Sequence, residues 1–96
     1  MAKVPMELQD CFVEDFTFSS VTVPANSSTD LVTVLTDHTG FVPVSASLVV
    51  TSANTSVSVL NPQARNSSDN YRVRAFNAYN ADVTISGTVH VLYVKI

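Results

Sequence analysis

The sequence predicts an all-β chain that folds as a single antiparallel β-sandwich, jelly-roll-like, with six to seven strands. Apolar and polar residues alternate over four segments, at 12–23, 56–60, 70–77 and 80–96. Clusters of Pro, Asn, Ser, Asp and Gly separate the apolar segments at short, regular intervals, as turns do. No segment shows convincing helical periodicity. Together these observations define the fold class.

The last segment, 80–96, is the strand around which the others are expected to pair. Its odd positions from Val83 to Tyr93 form a nearly continuous apolar row, whereas its even positions are polar until Leu92. Because side chains alternate across a strand, one face should be buried throughout and the other only near its end. Such a strand needs neighbours on both edges. Gly87 interrupts the apolar row, which predicts a bend or a bulky side chain on a neighbouring strand.

The earlier segments supply those neighbours. In Phe12–Val23 the apolar parity changes near Ser19 and Ser20, which indicates a β-bulge. Segment 29–36 is apolar on both faces, which predicts a central position in a sheet. Segment 45–52 follows as the third strand.

Ninety-six residues allow one domain. We assign residues 12–96 to the sandwich and residues 1–11 to a short N-terminal arm. Pro5 lacks a backbone donor, so the arm is not expected to be a central strand. Residues 6–11 could instead form one helical turn. In either case the arm is free or docked on a neighbour.

The composition favours self-association. Apolar residues make up 46% of the chain and charged residues only 14%. No apolar run approaches the ~20 residues that span a bilayer, so membrane insertion is not expected. A small domain with this surplus is either packed unusually well or leaves apolar surface for another chain to cover. We favour the second alternative, which predicts a homo-oligomer.

Charge and cysteine content argue against a nucleic-acid-binding protein and against a disulfide scaffold. Five basic residues in a chain of net charge −3 do not form a track for a phosphate backbone, so nucleic-acid binding is not expected. One cysteine, Cys11, cannot form an internal disulfide. The first residues lack a secretory signal pattern, which predicts folding in a reducing cytoplasm. The three Asn-x-Ser/Thr triplets, at Asn26, Asn54 and Asn66, are accordingly interpreted as turns.

The residues that could carry catalysis do not form a convincing constellation, and we expect neither an enzyme nor a cofactor. His38 follows Asp37 in a loop and is interpreted as part of a solvated turn, since a catalytic triad requires a nucleophile and an oriented base. Glu14 and Asp15 are adjacent and should face opposite sides of a strand, so they cannot act there as an acid–base pair.

A metal site is not expected either. His90 has no second His or Cys at ligand spacing. It is interpreted as a half-buried strand residue or as one member of a ring around an oligomer axis. Four aspartates flank strands without the spacing of a calcium loop, and we interpret them as solvated strand ends: Asp30, Asp37, Asp69 and Asp82.

Two surfaces are candidates for contacts with partners. Aromatic and arginine side chains suit protein interfaces and sugar stacking, although arginines on the solvated face of a strand near a sheet edge explain the pattern equally well. The candidates for an interface or glycan contact are Phe41, Tyr71, Arg72, Arg74, Phe76 and Tyr79. The candidates for an oligomer contact are His90, Leu92 and Val94.

Four local features occur together between residues 16 and 96. They are the Val-Pro-Ala-Asn-Ser turn at Val23–Ser27, an aromatic-Val-Pro step after Gly40, an R-x-F-N strand at Arg74–Asn77 and the terminal Val91–Val94. In these features the chain resembles small β-sandwich modules in the tail, baseplate and receptor-binding proteins of long-tailed phages that infect Gram-positive bacteria.

The resemblance implies a non-catalytic, commonly trimeric module of a phage virion that is made in the host cytoplasm. Its implied role is that of a structural tail or baseplate component with other phage tail proteins as partners. The alternative is a carbohydrate-binding head that holds a host cell-wall saccharide during adsorption. No saccharide-binding residue is carried over, because no site motif of the family is matched.

Overall fold

The computed structural model describes residues 10–51, 56–64 and 71–96. Within these ranges the chain forms seven strands that belong to two packed antiparallel sheets, which confirms the predicted all-β sandwich. The strands are β1 (Cys11–Val23), β2 (Ser28–Val32), β3 (Phe41–Val50), β4 (Val57–Val59), β5 (Gln63–Ala64), β6 (Tyr71–Asn77) and β7 (Val83–Lys95). β1 begins at the last residue assigned to the N-terminal arm, and residues 1–9 lie outside the described ranges.

Strands that follow one another in the chain lie in different sheets through most of the fold. The first sheet has the order β1–β7–β3. In the second, β6 pairs with β2 along one edge and with β4 and β5 along the other. The chain thus crosses between the sheets on passing from β1 to β2, to β3 and to β4, as in a jelly roll.

The prediction for the last strand is confirmed. β7 pairs antiparallel with β1 and with β3, so both of its edges are occupied. Its odd positions before Lys95 are all buried and face the second sheet: Val83, Ile85, Gly87, Val89, Val91 and Tyr93. At Gly87 the backbone of β3 approaches so closely that a Cβ atom would collide with the Val49 carbonyl oxygen. On the other edge of β7, Gly87 pairs with Phe18 of β1, whose large side chain is buried.

The predicted bulge in β1 is also observed. The pairing with β7 shifts between Phe18 and Val21, and Ser20 adopts a positive φ of 53°. The Ser20 backbone N–H donates a hydrogen bond to Ser86 Oγ at 2.9 Å. Because the bulge changes the parity, Phe18 and Val23 can both face the core although one is even-numbered and the other odd-numbered.

The prediction of a central second strand is wrong. β2 ends at Val32 and lies at an edge of the second sheet, paired with β6 alone among the described strands. Beyond it the chain bends, Val34 is exposed, and the Leu35 N–H donates to Tyr71 O at 2.8 Å while the Leu35 side chain enters the core. The two-sided apolar pattern therefore arises from a bend rather than from burial of both strand faces.

The β6–β7 turn is organised by Asn77, a fully buried polar residue. Its Nδ2 donates to the carbonyl oxygens of Val23 (3.1 Å) and Ala81 (2.8 Å), and its Oδ1 accepts a hydrogen bond from the Tyr79 N–H at 2.9 Å. A buried amide needs such partners, since an unsatisfied polar group costs about 1–3 kcal/mol. Asn77 thereby connects the end of β1 to the turn that precedes β7.

Candidate functional site

The outer face of the β1–β7–β3 sheet is apolar over one half. The register places Cys11, Val94 and Val42 in one row across the sheet, and Val13, Leu92 and Ser45 in the next row. Five of these six residues are apolar: Cys11, Val13, Val42, Leu92 and Val94. We call these five residues the apolar half-face. Val13 is 58% exposed, and the other four are half-buried although they lie on the outside of the sandwich.

A polar row borders the apolar half-face. It consists of Asp15 on β1, His90 on β7 and Ser47 on β3, which the register places side by side. His90 Nδ1 and Asp15 Oδ1 lie 2.5 Å apart. His90 is thus a half-buried strand residue, one of the two alternatives that the sequence left open. The three residues suggested for an oligomer contact, His90, Leu92 and Val94, all lie on this outer face.

A second group of polar residues lies at a partly exposed end of the sandwich, where β1, β3 and β7 meet the 33–40 segment. Glu14 Oε1 lies 2.9 Å from His38 Nε2, and Glu14 Oε2 accepts a hydrogen bond from Thr36 Oγ1 at 3.2 Å. The Tyr93 hydroxyl donates to the Thr36 carbonyl oxygen at 3.2 Å. His38 lies in a turn, as expected, since its carbonyl oxygen accepts a hydrogen bond from the Phe41 N–H, but its side chain is a half-buried partner of Glu14 and is only partly solvated.

Aromatic contacts fix this group in place. The Phe12 ring stacks on Tyr93 with centroids 4.9 Å apart, and it meets His38 and Phe41 edge-on at 4.8 and 5.0 Å. Tyr93 is 1% exposed. Burial raises the pKa of the Tyr93 hydroxyl, and the neighbouring Glu14 carboxylate raises this pKa further because both groups would be negative.

A cavity of about 20 Å³ opens between these side chains, enough for about one water molecule. Phe41 and Tyr71, two of the residues suggested for a glycan contact, line its wall with His38 and Tyr93. A sugar ring does not fit into a space of this size, so a glycan contact by these two residues would lie outside this cavity.

The arginines of β6 lie on the outer face of the second sheet with Phe76, as the alternation predicted. They do not form a free basic stripe. Asp30 on β2 lies 3.1 Å from Arg74 Nε and 3.9 Å from Arg72 Nη1, and Arg74 Nη2 donates to the Ser28 carbonyl oxygen at 3.3 Å. These ion pairs are partly exposed, and the 3.1 Å contact lacks hydrogen-bond alignment, so each contributes at most about 1 kcal/mol.

The six residues proposed for a glycan or protein contact do not converge. Phe41 and Tyr71 lie at the end of the sandwich that holds His38, whereas Tyr79 follows the opposite end of β6, where the Asn26 N–H donates to the Tyr79 carbonyl oxygen at 3.0 Å. Seven residues of strand β6 separate the two ends, roughly 20 Å. Phe76 and Tyr79 remain exposed near one end.

The strand-end aspartates are dispersed. Asp30 pairs with the β6 arginines, Asp82 accepts a hydrogen bond from the Ala25 N–H at 3.0 Å, and Asp37 is exposed. Asp69 lies outside the described ranges, as do Asn54 and Asn66. Among the described residues no three His, Cys, Asp or Glu side chains are grouped so that they could hold a metal ion. No helix in the described part of the chain is long and apolar enough to cross a membrane.

Fold and surface together define the class of the chain: a two-sheet antiparallel β-sandwich whose outer face carries an apolar half-face that no described residue covers completely. Comparisons with protein-family models, curated proteins and solved structures found no match.

Proposed function

We propose that the chain is a non-enzymatic structural protein of a phage virion, a tail or baseplate component that works as a homo-oligomer. A trimer is the favoured state, because the phage modules that the sequence resembles are commonly trimeric. Within this proposal the chain is made in the host cytoplasm and joins other phage tail proteins in the particle.

The observation that carries the proposal is the apolar half-face. Along each strand of a sandwich, residues that face the core alternate with residues that face outward, and the outward residues are normally polar. Here Val13 and Leu92 lie side by side, and the row formed by Cys11, Val94 and Val42 extends the apolar surface across all three strands. Burying such a surface against another subunit stabilises an assembly by about 25 cal/mol per Å² of apolar area.

Light scattering after size exclusion tests the assembly. The wild-type chain should be oligomeric, and Val13→Asp should shift it toward the monomer because a carboxylate would lie inside the contact. Thr17→Asp is the matched control, since Thr17 is also exposed on the same face of β1 and equally distant from Asp15 in sequence. Leu92→Asp on β7 should repeat the effect of Val13→Asp.

A strictly monomeric wild type at high concentration would contradict the proposal, as would equal effects of Val13→Asp and Thr17→Asp. The virion location needs a separate test. Antibodies against the chain should label the tails of purified phage particles in electron micrographs, and labelling confined to unassembled protein would refute the location.

A carbohydrate-binding head is the second candidate function. It is supported by the exposed rings of Phe76 and Tyr79, which lie near one another in sequence at one end of the sandwich. Aromatic rings of this kind stack on sugars. Binding to host cell walls that is lost in Tyr79→Ala, with the oligomer intact, would favour this candidate. Absence of wild-type binding to cell walls and to a glycan array would exclude it.

A further inference from the structure

One edge of strand β3 is not paired with any described strand, and a defined set of its backbone groups points outward there. The Thr51 N–H donates to Ser86 O at 2.9 Å, which fixes the hydrogen-bonding phase of the β3–β7 ladder. Bonded residues alternate in an antiparallel pair, so Ser45, Ser47 and Val49 bond to β7. The N–H and C=O groups of Ala46, Leu48 and Val50 consequently point away from β7. Among the described strands β3 pairs with β7 only.

The other edge strands carry features that oppose pairing with another chain. Strands β2, β4 and β5 have five, three and two residues. β1 is long, but it contains Glu14, Asp15 and the bulge at Ser20. Short strands, charged residues and bulges are the usual means by which proteins protect a sheet edge.

β3 lacks this protection over most of its length. It is ten residues long and contains no charged side chain. Its proline, Pro43, and its register shift lie near its start, so the stretch Ser45–Val50 is a regular, uncharged and largely apolar edge. Val49 is 55% exposed on the outer face of this stretch. An edge of this kind is a template for an added strand.

We infer that the β3 edge pairs with the β3 edge of a second copy of this chain, antiparallel about a two-fold axis, to give a continuous β1–β7–β3–β3–β7–β1 sheet. The occupant is a second copy because the edge is complementary to itself. Ala46, Leu48 and Val50 each present a donor and an acceptor, which two antiparallel copies can exchange. Two β3 strands bring no like charges together, whereas two β1 strands would approach with Glu14 and Asp15 on both.

This inference rests on the proposed self-assembly and adds a second contact to the apolar half-face. If the half-face closes a trimer, the two-fold contact at β3 joins two trimers into a hexamer. Hydrogen exchange followed by NMR tests it at the residues concerned. On going from dilute to concentrated protein, the Ala46, Leu48 and Val50 amides should gain protection by at least about tenfold, as hydrogen-bonded amides do. The Ser47 and Val49 amides already bond to β7 and serve as internal references.

Two substitutions test the contact independently. Ala46→Pro removes a donor from the free edge without breaking the ladder with β7, and Ser47→Lys adds a charge on the exposed face of the edge. Each should raise the dissociation constant of the edge contact at least about tenfold, because a two-fold interface contains each substitution twice. Thr17→Lys, exposed at the middle of the opposite edge strand, is the control and should have no such effect.

The outcomes separate the two contacts. If Val13→Asp disrupts assembly while Ala46→Pro and Ser47→Lys leave it unchanged, the edge inference is overturned and the proposed function stands. If the edge variants disrupt assembly and Val13→Asp does not, the edge inference stands and the half-face is not an assembly contact. Unchanged exchange of the Ala46, Leu48 and Val50 amides at high concentration would overturn the edge pairing even if the protein is oligomeric. Circular dichroism of each variant verifies that it is folded.

Discussion

At the scale of the residue, the buried position of Tyr93 raises the pKa of its hydroxyl. Its ring lies between Phe12 and the core, and its hydroxyl donates a hydrogen bond to the Thr36 carbonyl oxygen. The Glu14 carboxylate nearby is held by His38 and Thr36. An ionised tyrosine here would be poorly solvated and would face another negative charge. The folded state therefore retains the Tyr93 proton at pH values where the unfolded chain releases it.

This difference predicts an alkaline loss of stability. The raised pKa of Tyr93 contributes stability that is complete below the unfolded value of about 10 and is lost as the pH rises above it, by up to about 1.4 kcal/mol per pH unit. In Tyr93→Phe this loss should be absent, although the variant should be about 1 kcal/mol less stable at neutral pH because it lacks the bond to Thr36. Urea unfolding at a series of pH values measures both effects.

The control is Tyr79→Phe, which changes a ring that is 55% exposed and should leave the alkaline slope as in the wild type. Parallel curves for the wild type and Tyr93→Phe above pH 10 would show that the Tyr93 environment does not oppose ionisation.

At the scale of the element, the central strand β7 depends on close backbone contact with β3. Gly87 pairs with Phe18 on one side and Val50 on the other. A Cβ atom at this position would collide with the Val49 carbonyl oxygen and lie 3.0 Å from Val50 Cα. Because these are backbone atoms, no side-chain rotation relieves the contact.

Gly87→Ala should therefore destabilise the domain by about 1–3 kcal/mol, the usual cost of overpacking. Thr17→Ala, an exposed change on the neighbouring strand, should stay within about 0.5 kcal/mol of the wild type. Urea unfolding compares the two. A Gly87→Ala variant as stable as Thr17→Ala would mean that β3 and β7 can separate at this point without cost.

At the scale of the whole molecule, charge and apolar surface have opposite effects on assembly. The net charge of −3 makes copies repel each other, whereas the half-face and the β3 edge carry little charge. Salt screens the repulsion and leaves apolar burial largely intact. The expected balance is therefore an assembly that is favoured by salt.

Raising the ionic strength from about 0.05 to 0.5 M should increase the oligomeric fraction measured by sedimentation velocity, because the Debye length falls well below the size of the molecule. Thr17→Asp makes each copy more acidic outside the proposed contacts and should show a larger salt effect than the wild type. Dissociation of the wild-type oligomer by salt would indicate that ion pairs, rather than apolar surface, hold the copies together.

The sequence by itself predicted six of the seven strands, the bulge at Ser19 and Ser20, and the inner face of β7, but not the two-residue strand β5. These features follow from the two-residue period of a strand, which depends only on local backbone geometry. The same period predicted that Arg72, Arg74 and Phe76 share a face and that Glu14 and Asp15 face opposite sides.

Only the tertiary structure decided which residues meet across the fold. Glu14 and His38 are 24 positions apart and Asp15 and His90 are 75 apart, so no local pattern could join them. The tertiary structure also placed β2 at an edge, brought Asp30 next to the two β6 arginines, and left one edge of β3 without a partner among the described strands. The physical reason is that pairing between distant segments is set by the order of strands in the sheets, which local alternation does not encode.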